Sequence, residues 1–441
     1  MVVHDGDLIA GGHFNQAGGK TVNHIARWDG VEWSDLSGPD GIGVNDEVVA
    51  LAIHDGDLIA GGAFTRAGGQ TVNSIARWDG GSWSGLSGPG GTGMSGQVHA
   101  LAVHDGDLIA GGYFEEAGGE SINNVALWGG DGWLGLTGAD GIGVSGTVHA
   151  LTVHGGDLIA GGTFDQAAGK AVNNIARWDG VDWSGLSGLD GIGVNGRVIA
   201  LVVNDGDLIA GGTFDQAGGM TVNSIARWNG MDWSDFTGPD GTGMNEFVYA
   251  LAFQDGDLIA GGRYTKAGGE TVNRIARWDG NSWSALSGPD GSGMNDAVFA
   301  SVEFNGDLMA GGSFATAGGQ PASTMARWRR EATMTEILLI DPDHADVGDI
   351  VLVEARSEGP VSAPDSGYRG RIEADSGEFC DALVEPAGDN LVSFSCEITL
   401  TTAGRRVISA HYTGSARYQP SQSAAVVIQV TDLFVDRFET P

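Results

Sequence analysis

Carboxylates set among glycines are the residues of this chain whose type and spacing could bind a metal. A Gly-x-Asp-Gly-x-Gly run supplies Asp40, Asp140, Asp190, Asp240 and Asp290, and one copy has Gly90 instead. Such loops offer the hard oxygen ligands that Ca2+ collects, roughly six to eight at a time. No loop reaches the Asp-x-Asp-x-Asp density of a dedicated site, and turn formation by Asp-Gly produces the same pattern without metal. The expectation is therefore no cofactor, with Ca2+ on those five aspartates as the alternative.

Other chemistry is sparse. His4, His54, His104 and His154 share one position of a repeat, but Asn204, Gln254 and Phe304 follow at that position. They read as turn-adjacent polar residues rather than converging ligands. No His/Cys/carboxylate cluster has metal-site spacing, and no nucleophile elbow or phosphate loop is present. Glu115 and Glu116 are the pair from which an extracellular hydrolase or lyase would be built, which is the alternative to a non-catalytic reading.

These residues are positioned by a repeat of 50 residues. Asp-Leu-(Ile/Met)-Ala-Gly-Gly begins at Asp7, Asp57, Asp107, Asp157, Asp207, Asp257 and Asp307, and Ala-(Arg/Leu)-Trp ends at Trp28, Trp78, Trp128, Trp178, Trp228, Trp278 and Trp328. A fixed period of this length marks one supersecondary unit that buries its apolar face only by packing on copies of itself. In one copy, residues 47–54 (EVVALAIH) predict a strand ended by the turn dipeptide Asp55-Gly56. Residues 57–64 (DLIAGGAF) predict a second, with a glycine pair where neighbouring groups come close. Residues 72–78 (VNSIARW) and 82–86 (SWSGL) predict a third and a short fourth, joined by a tight Asp79-Gly80 turn. The linker 87–95 leads to the next copy. With 77 glycines, no helical spacing and no capping pattern, helix is excluded.

Four short strands per unit are the signature of a propeller blade. The glycine pair closing strand two and the tryptophans of strands three and four resemble the kelch repeat of galactose-oxidase-type propellers over residues 1–329. The resemblance implies an all-β, seven-bladed kelch-like propeller over residues 1–330. It does not imply the copper radical activity of that family, which needs a Cys crosslinked to a Tyr; the repeats contain no cysteine. All 13 tryptophans occupy two positions, the seven above and Trp33, Trp83, Trp133, Trp183, Trp233 and Trp283, as core between blades requires. Ala50, Ala100, Ala150, Ala200, Ala250 and Ala300 suit an innermost strand crowded around a narrow axis. Arg27 and its equivalents are expected to pair with the Asp7-type or Asp29-type carboxylates, and Leu127 replaces the arginine once.

Antiparallel order puts the long loops after strands two and four on one face, and the copies differ most there. The position of His13 becomes Ala63, Tyr113, Thr163, Thr213, Arg263 and Ser313; that of Val49 becomes His99, His149, Ile199, Tyr249 and Phe299. The pair at 15 and 16 becomes Thr65-Arg66, Glu115-Glu116, Asp165-Gln166 and Thr265-Lys266. A fixed scaffold with one variable face presents a binding surface. The candidate recognition set is His13, Arg66, His99, Tyr113, Glu115, Glu116, His149, Arg197, Tyr249, Arg263 and Phe299.

A formal net charge of -35 excludes nucleic acid as a partner, and no apolar run is long enough to span a bilayer. Met1 aligns with Leu51, and after Trp328 the chain leaves the pattern before a fourth strand. The missing strand is expected just upstream of Met1, together with an export signal; a seventh blade of three strands is the alternative. From about Thr333 glycine falls and apolar strands alternate with polar residues. The stretch 408–421 (ISAHYTGSARYQPS) resembles the close of bacterial Ig-like repeats, which implies a β-sandwich spacer over 333–430. Cys380 and Cys396 have the spacing of a cross-strand disulfide in such an exported domain. The tail 431–441 resembles Phe-x-Asp-x-Phe-Glu endings of exported bacterial proteins. The expectation is a secreted or cell-surface, non-catalytic binding or adhesion protein for a glycan or protein ligand.

Overall fold

The tight turn Asp55–Gly56 starts each blade's geometry: both residues have positive φ, 53° and 85°, as a two-residue type I′ hairpin demands. It joins Val48–His54 to Asp57–Gly62, with Asp57 opposite His54. Ile75–Trp78 lies against the second strand and Trp83–Gly85 against the third. The connection between strands three and four differs from the expected tight turn. Trp78 faces Trp83, so four residues intervene, and the Asp79 carboxylate accepts the amides of Gly81 and Ser82 at 2.9 and 2.8 Å. That side chain, with the Asp79 N–H to Ser82 carbonyl bond at 3.3 Å, closes the turn, and Gly80 alone is left-handed.

This computed structural model describes residues 1–328 apart from 39–40, 189–190, 239–240, 289–290 and 323, and beyond 328 it describes only the backbone of the strands. Six sheets contain four strands each, and the seventh contains three: Val298–Phe304, Asp307–Gly312 and Met325–Trp328. The first strands of successive blades lie side by side as the innermost layer. Leu8 of the first blade packs with Phe304 and Met309 of the seventh, which closes the circle. The architecture is an all-β, seven-bladed propeller, with no helix among the described residues.

The repeated positions explain the closure. A Cβ on Gly61 would stand 2.5 Å from Cγ1 of Val98 in the next blade, and one on Gly62 would stand 2.0 Å from the Glu47 carbonyl oxygen of its own. The first glycine admits the neighbouring blade; the second admits the neighbouring strand. Trp83, Trp133, Trp183 and Trp233 are buried, and each indole N–H donates to a carbonyl of the preceding blade: Leu36, Leu86, Leu136 and Leu186, at 2.9–3.4 Å. Burying an aromatic of this size stabilises by several kcal/mol, roughly 25 cal/mol per Å2, so the indoles join blade to blade as well as filling the core.

The histidine position does the same on the tight-turn face. His4, His54, His104 and His154 bond the carbonyls of Gly56, Gly106, Gly156 and Gly206, and Gln254 donates to Gly306, all at 2.7–3.1 Å. These are blade-to-blade bonds. Arg27, Arg77, Arg177, Arg227, Arg277 and Arg327 pair with Asp7, Asp57, Asp157, Asp207, Asp257 and Asp307. The Asp7-type carboxylate is the partner in every such case.

The chain divides into two compact units, Met1–Trp328 and Arg329–Pro441. The second has a sheet of Met334–Asp341, Ile350–Glu358, Leu391–Thr399 and Glu385–Gly388, and a sheet containing Arg369–Ala374, Phe379–Leu383, Gly404–Tyr412 and Val426–Thr431. Cys380 stands opposite Ile372 and Cys396 opposite Val353, on different sheets. The strands that carry them, Phe379–Leu383 and Leu391–Thr399, do not pair in one ladder. Their side chains, and so the disulfide, lie outside the described residues, as does the tail 432–441.

Candidate functional site

Each of blades two to seven carries a β-bulge at one register of its innermost strand. In blade two Val48 pairs with Gly62 and Ala50 with Gly61, which leaves Val49 without a partner. The same slip isolates His99, His149, Ile199, Tyr249 and Phe299. A bulge turns its extra residue out of the pleat. On the innermost strand, at its long-loop end, such a residue can meet its counterpart in the next blade. Two pairs do so: the His99 and His149 rings stack with centroids 5.5 Å apart, and Tyr249 and Phe299 lie 5.6 Å apart.

The mouth so formed has two sectors. In the polar one, His99 Nε2 meets Gln97 Oε1 at 3.1 Å, and His149 Nε2 meets Thr163 Oγ1 at 3.3 Å. Arg197 Nε donates to the same Thr163 hydroxyl at 3.2 Å, which leaves the hydroxyl hydrogen free for the imidazole. Burial, then the neighbouring His99 and Arg197, pushes His149 down to about 4. Burial also lowers His99, against the opposing pull of Glu47. Both rings are therefore neutral near pH 7 and act as hydrogen-bonding groups, not charges. Nδ1 of His99 is buried without a partner. In the aromatic sector, Phe247 lies 6.2 Å from Tyr249, and Phe299 is 55% exposed. Arg263 is exposed beside it, its backbone N–H bonded to the Phe247 carbonyl.

Of the remaining members of the recognition set, only Tyr113 borders this cluster. Tyr113 is 64% exposed opposite Gln97. His13 is exposed and lies 5.4 Å from His24. Arg66, Glu115 and Glu116 sit further out. Their loops are not open: Arg66–Ala67 pairs with Gln70–Thr71, and Glu116–Ala117 with Glu120–Ser121. The backbone amides of Glu115 and Glu116 bond Ser95 Oγ at 3.1 and 2.9 Å. The linkers form small hairpins too, and Val44 bridges to Ala67. Gln97, Thr163 and Phe247 belong to the mouth and were missed by sequence reasoning. A comparison of column 47, which reads Glu47, Gln97, Thr147, Arg197, Phe247 and Ala297, carries the signal that finds two of them.

Of the aspartates proposed for Ca2+, Asp40, Asp190, Asp240 and Asp290 lie outside the described residues; Asp140 is exposed at a hairpin tip. Among the described residues no three His, Cys, Asp or Glu side chains are placed to share a metal ion. Among them also, no helix is long and apolar enough to cross a membrane.

A family profile described as "Domain of unknown function (DUF5122) beta-propeller" matches residues 54–78, from the tight turn of blade two to the end of its third strand. No curated protein matches the chain. Among solved structures, "Crystal structure of tetra-tandem repeat in extending region of large adhesion protein" is 17% identical, covering 86% of this chain and 98% of that one, with a TM-score of 0.19. At that score the two overall shapes do not superpose.

Proposed function

We propose that this is a non-catalytic binding or adhesion protein, secreted or at the cell surface, that recognises a glycan or protein ligand on its long-loop face. One observation carries the reading. A bulge at the same register of six innermost strands sets six residues at their long-loop ends, and four of them meet in pairs across blades, while the glycine and tryptophan positions around them stay constant. The scaffold is kept and the aimed residues vary, as in repeat proteins that bind. In this reading the propeller is kelch-like, as its glycine pair and two tryptophan columns suggest, and the C-terminal unit is an Ig-like spacer.

Glycan and protein arrays probed with the full chain, with and without EDTA, test the proposal. Binding without turnover supports it, and loss of binding in EDTA would add Ca2+ at the Asp140-type loops. Release of a cleaved product would replace it by the hydrolase or lyase alternative on Glu115 and Glu116. Silence on both arrays would remove it.

A further inference from the structure

We infer that the axial mouth binds a neutral pyranose, its ring face on Phe247, Tyr249 and Phe299 and its hydroxyls on His99, His149 and Arg197. The inference rests on the binding role proposed above and adds the place and the ligand class.

Charge is the first ground. The chain has 57 acidic residues, yet none of the six bulge residues is a carboxylate, a lysine or an arginine. The mouth departs from the strongly anionic molecule around it, with Arg197 and Arg263 standing there against Glu47. An anionic ligand would approach against the field of the whole protein, and a cationic one would find no carboxylate among the aimed residues.

Shape of character is the second. A pyranose presents C–H groups on its faces and hydroxyls around its rim. Aromatic faces carry partial negative charge and attract such C–H groups; Phe247 and Phe299 are 40% and 55% exposed and can be stacked upon. The polar sector holds groups that accept and donate at once. The neutral imidazoles do both. Arg197 is exposed, spends Nε on Thr163, and forms no ion pair with a carboxylate among the described residues. Its remaining N–H groups are free for ring hydroxyls. An apolar sector and a donor-acceptor sector on the same ring of strands together complement a sugar ring, whereas a purely apolar ligand would waste half of them.

The experiment titrates the full chain with methyl glycosides of glucose, galactose and mannose and with N-acetylglucosamine. Glucuronic acid and a random peptide pool are titrated in parallel, by calorimetry and by NMR of the histidine rings. At least one neutral sugar is expected to bind saturably and shift the His99 and His149 signals. Phe299→Ala and Tyr249→Ala should each weaken it about tenfold, the stacking contribution being of order 1 kcal/mol beyond contact area. Val181→Ser, in a turn on the opposite face, should leave affinity unchanged, as should raising NaCl from about 0.05 to 0.5 M. Near-ultraviolet circular dichroism checks that each variant is folded. Binding of glucuronic acid or peptide alone overturns the ligand class and keeps the binding role. Sugar binding undiminished in both aromatic variants overturns the location. Failure of every neutral sugar overturns the inference, and the protein array then decides whether the broader reading falls with it.

Discussion

The imidazoles of His99 and His149 stack across the boundary between two blades, their planes 8° apart. Two bases held face to face disfavour charging each other. Burial lowers both, and His149 reaches about 4. A histidine whose folded value lies below its unfolded value of 6.5 holds its proton better in the unfolded chain. Its contribution to stability is therefore complete above about pH 6.5 and is lost as pH falls through the window down to about 4. Urea unfolding of wild type and His149→Gln should diverge in pH dependence within that window and run parallel above it. Ring NMR should show His149 uncharged at pH 5.5; a titration midpoint near 6.5 would contradict the buried, stacked arrangement.

Gly61 and Gly62 are restricted for different reasons, and a mutant cycle separates them. Gly61→Ala meets the Val98 side chain, so it should cost about 1–3 kcal/mol by overpacking. Val98→Ala should recover much of that cost. Gly62→Ala meets the Glu47 carbonyl oxygen, which no side-chain truncation can move. Chemical denaturation of the double variants checks it: equal rescue of both glycines would sink the distinction.

The turn-face bonds between blades predict a graded series at residue 104. His104 Nε2 bonds the Gly156 carbonyl at 2.8 Å, and Gln254 makes the equivalent bond two blades beyond its last histidine copy. His104→Gln should therefore be close to neutral. His104→Leu should lose about 1 kcal/mol, the net value of one hydrogen bond plus the carbonyl left dry. Thermal midpoints of the two variants give the comparison.

Arg77 and Asp57 form an ion pair, but Arg77 is half exposed, and Leu127 occupies the same position in blade three. Arg77→Leu should cost less than about 1 kcal/mol, and less still in high salt. A loss of several kcal/mol would show that the pair supports the blade rather than decorating it.

Much of the propeller was legible because its determinants are local and copied. Asp55-Gly56 declares its hairpin without help from the rest of the chain. The two tryptophan columns announce interfaces, since an indole retained in every copy has only another blade to lie against. The Asp79 turn was misread because Asp-Gly also serves a four-residue turn closed by the carboxylate. The loops after strands two and four were read without strands of their own, yet Arg66–Ala67 and its partners pair there; two-residue strands leave no periodicity to detect.

The mouth was only half visible. Comparing copies found the variability at His99, His149, Tyr249 and Phe299, but EVVALAIH reads as an uninterrupted strand and hides the slip between Val48 and Ala50. Sequence by itself determined the unit, its seven copies and the face on which they differ, because turn chemistry and burial pattern act over a few residues. Tertiary structure alone decided which variable residues converge. A side chain's aim depends on the register of its bulge, and its neighbours come from the next blade, about 50 residues away in the chain but only a ring's width away across the axis.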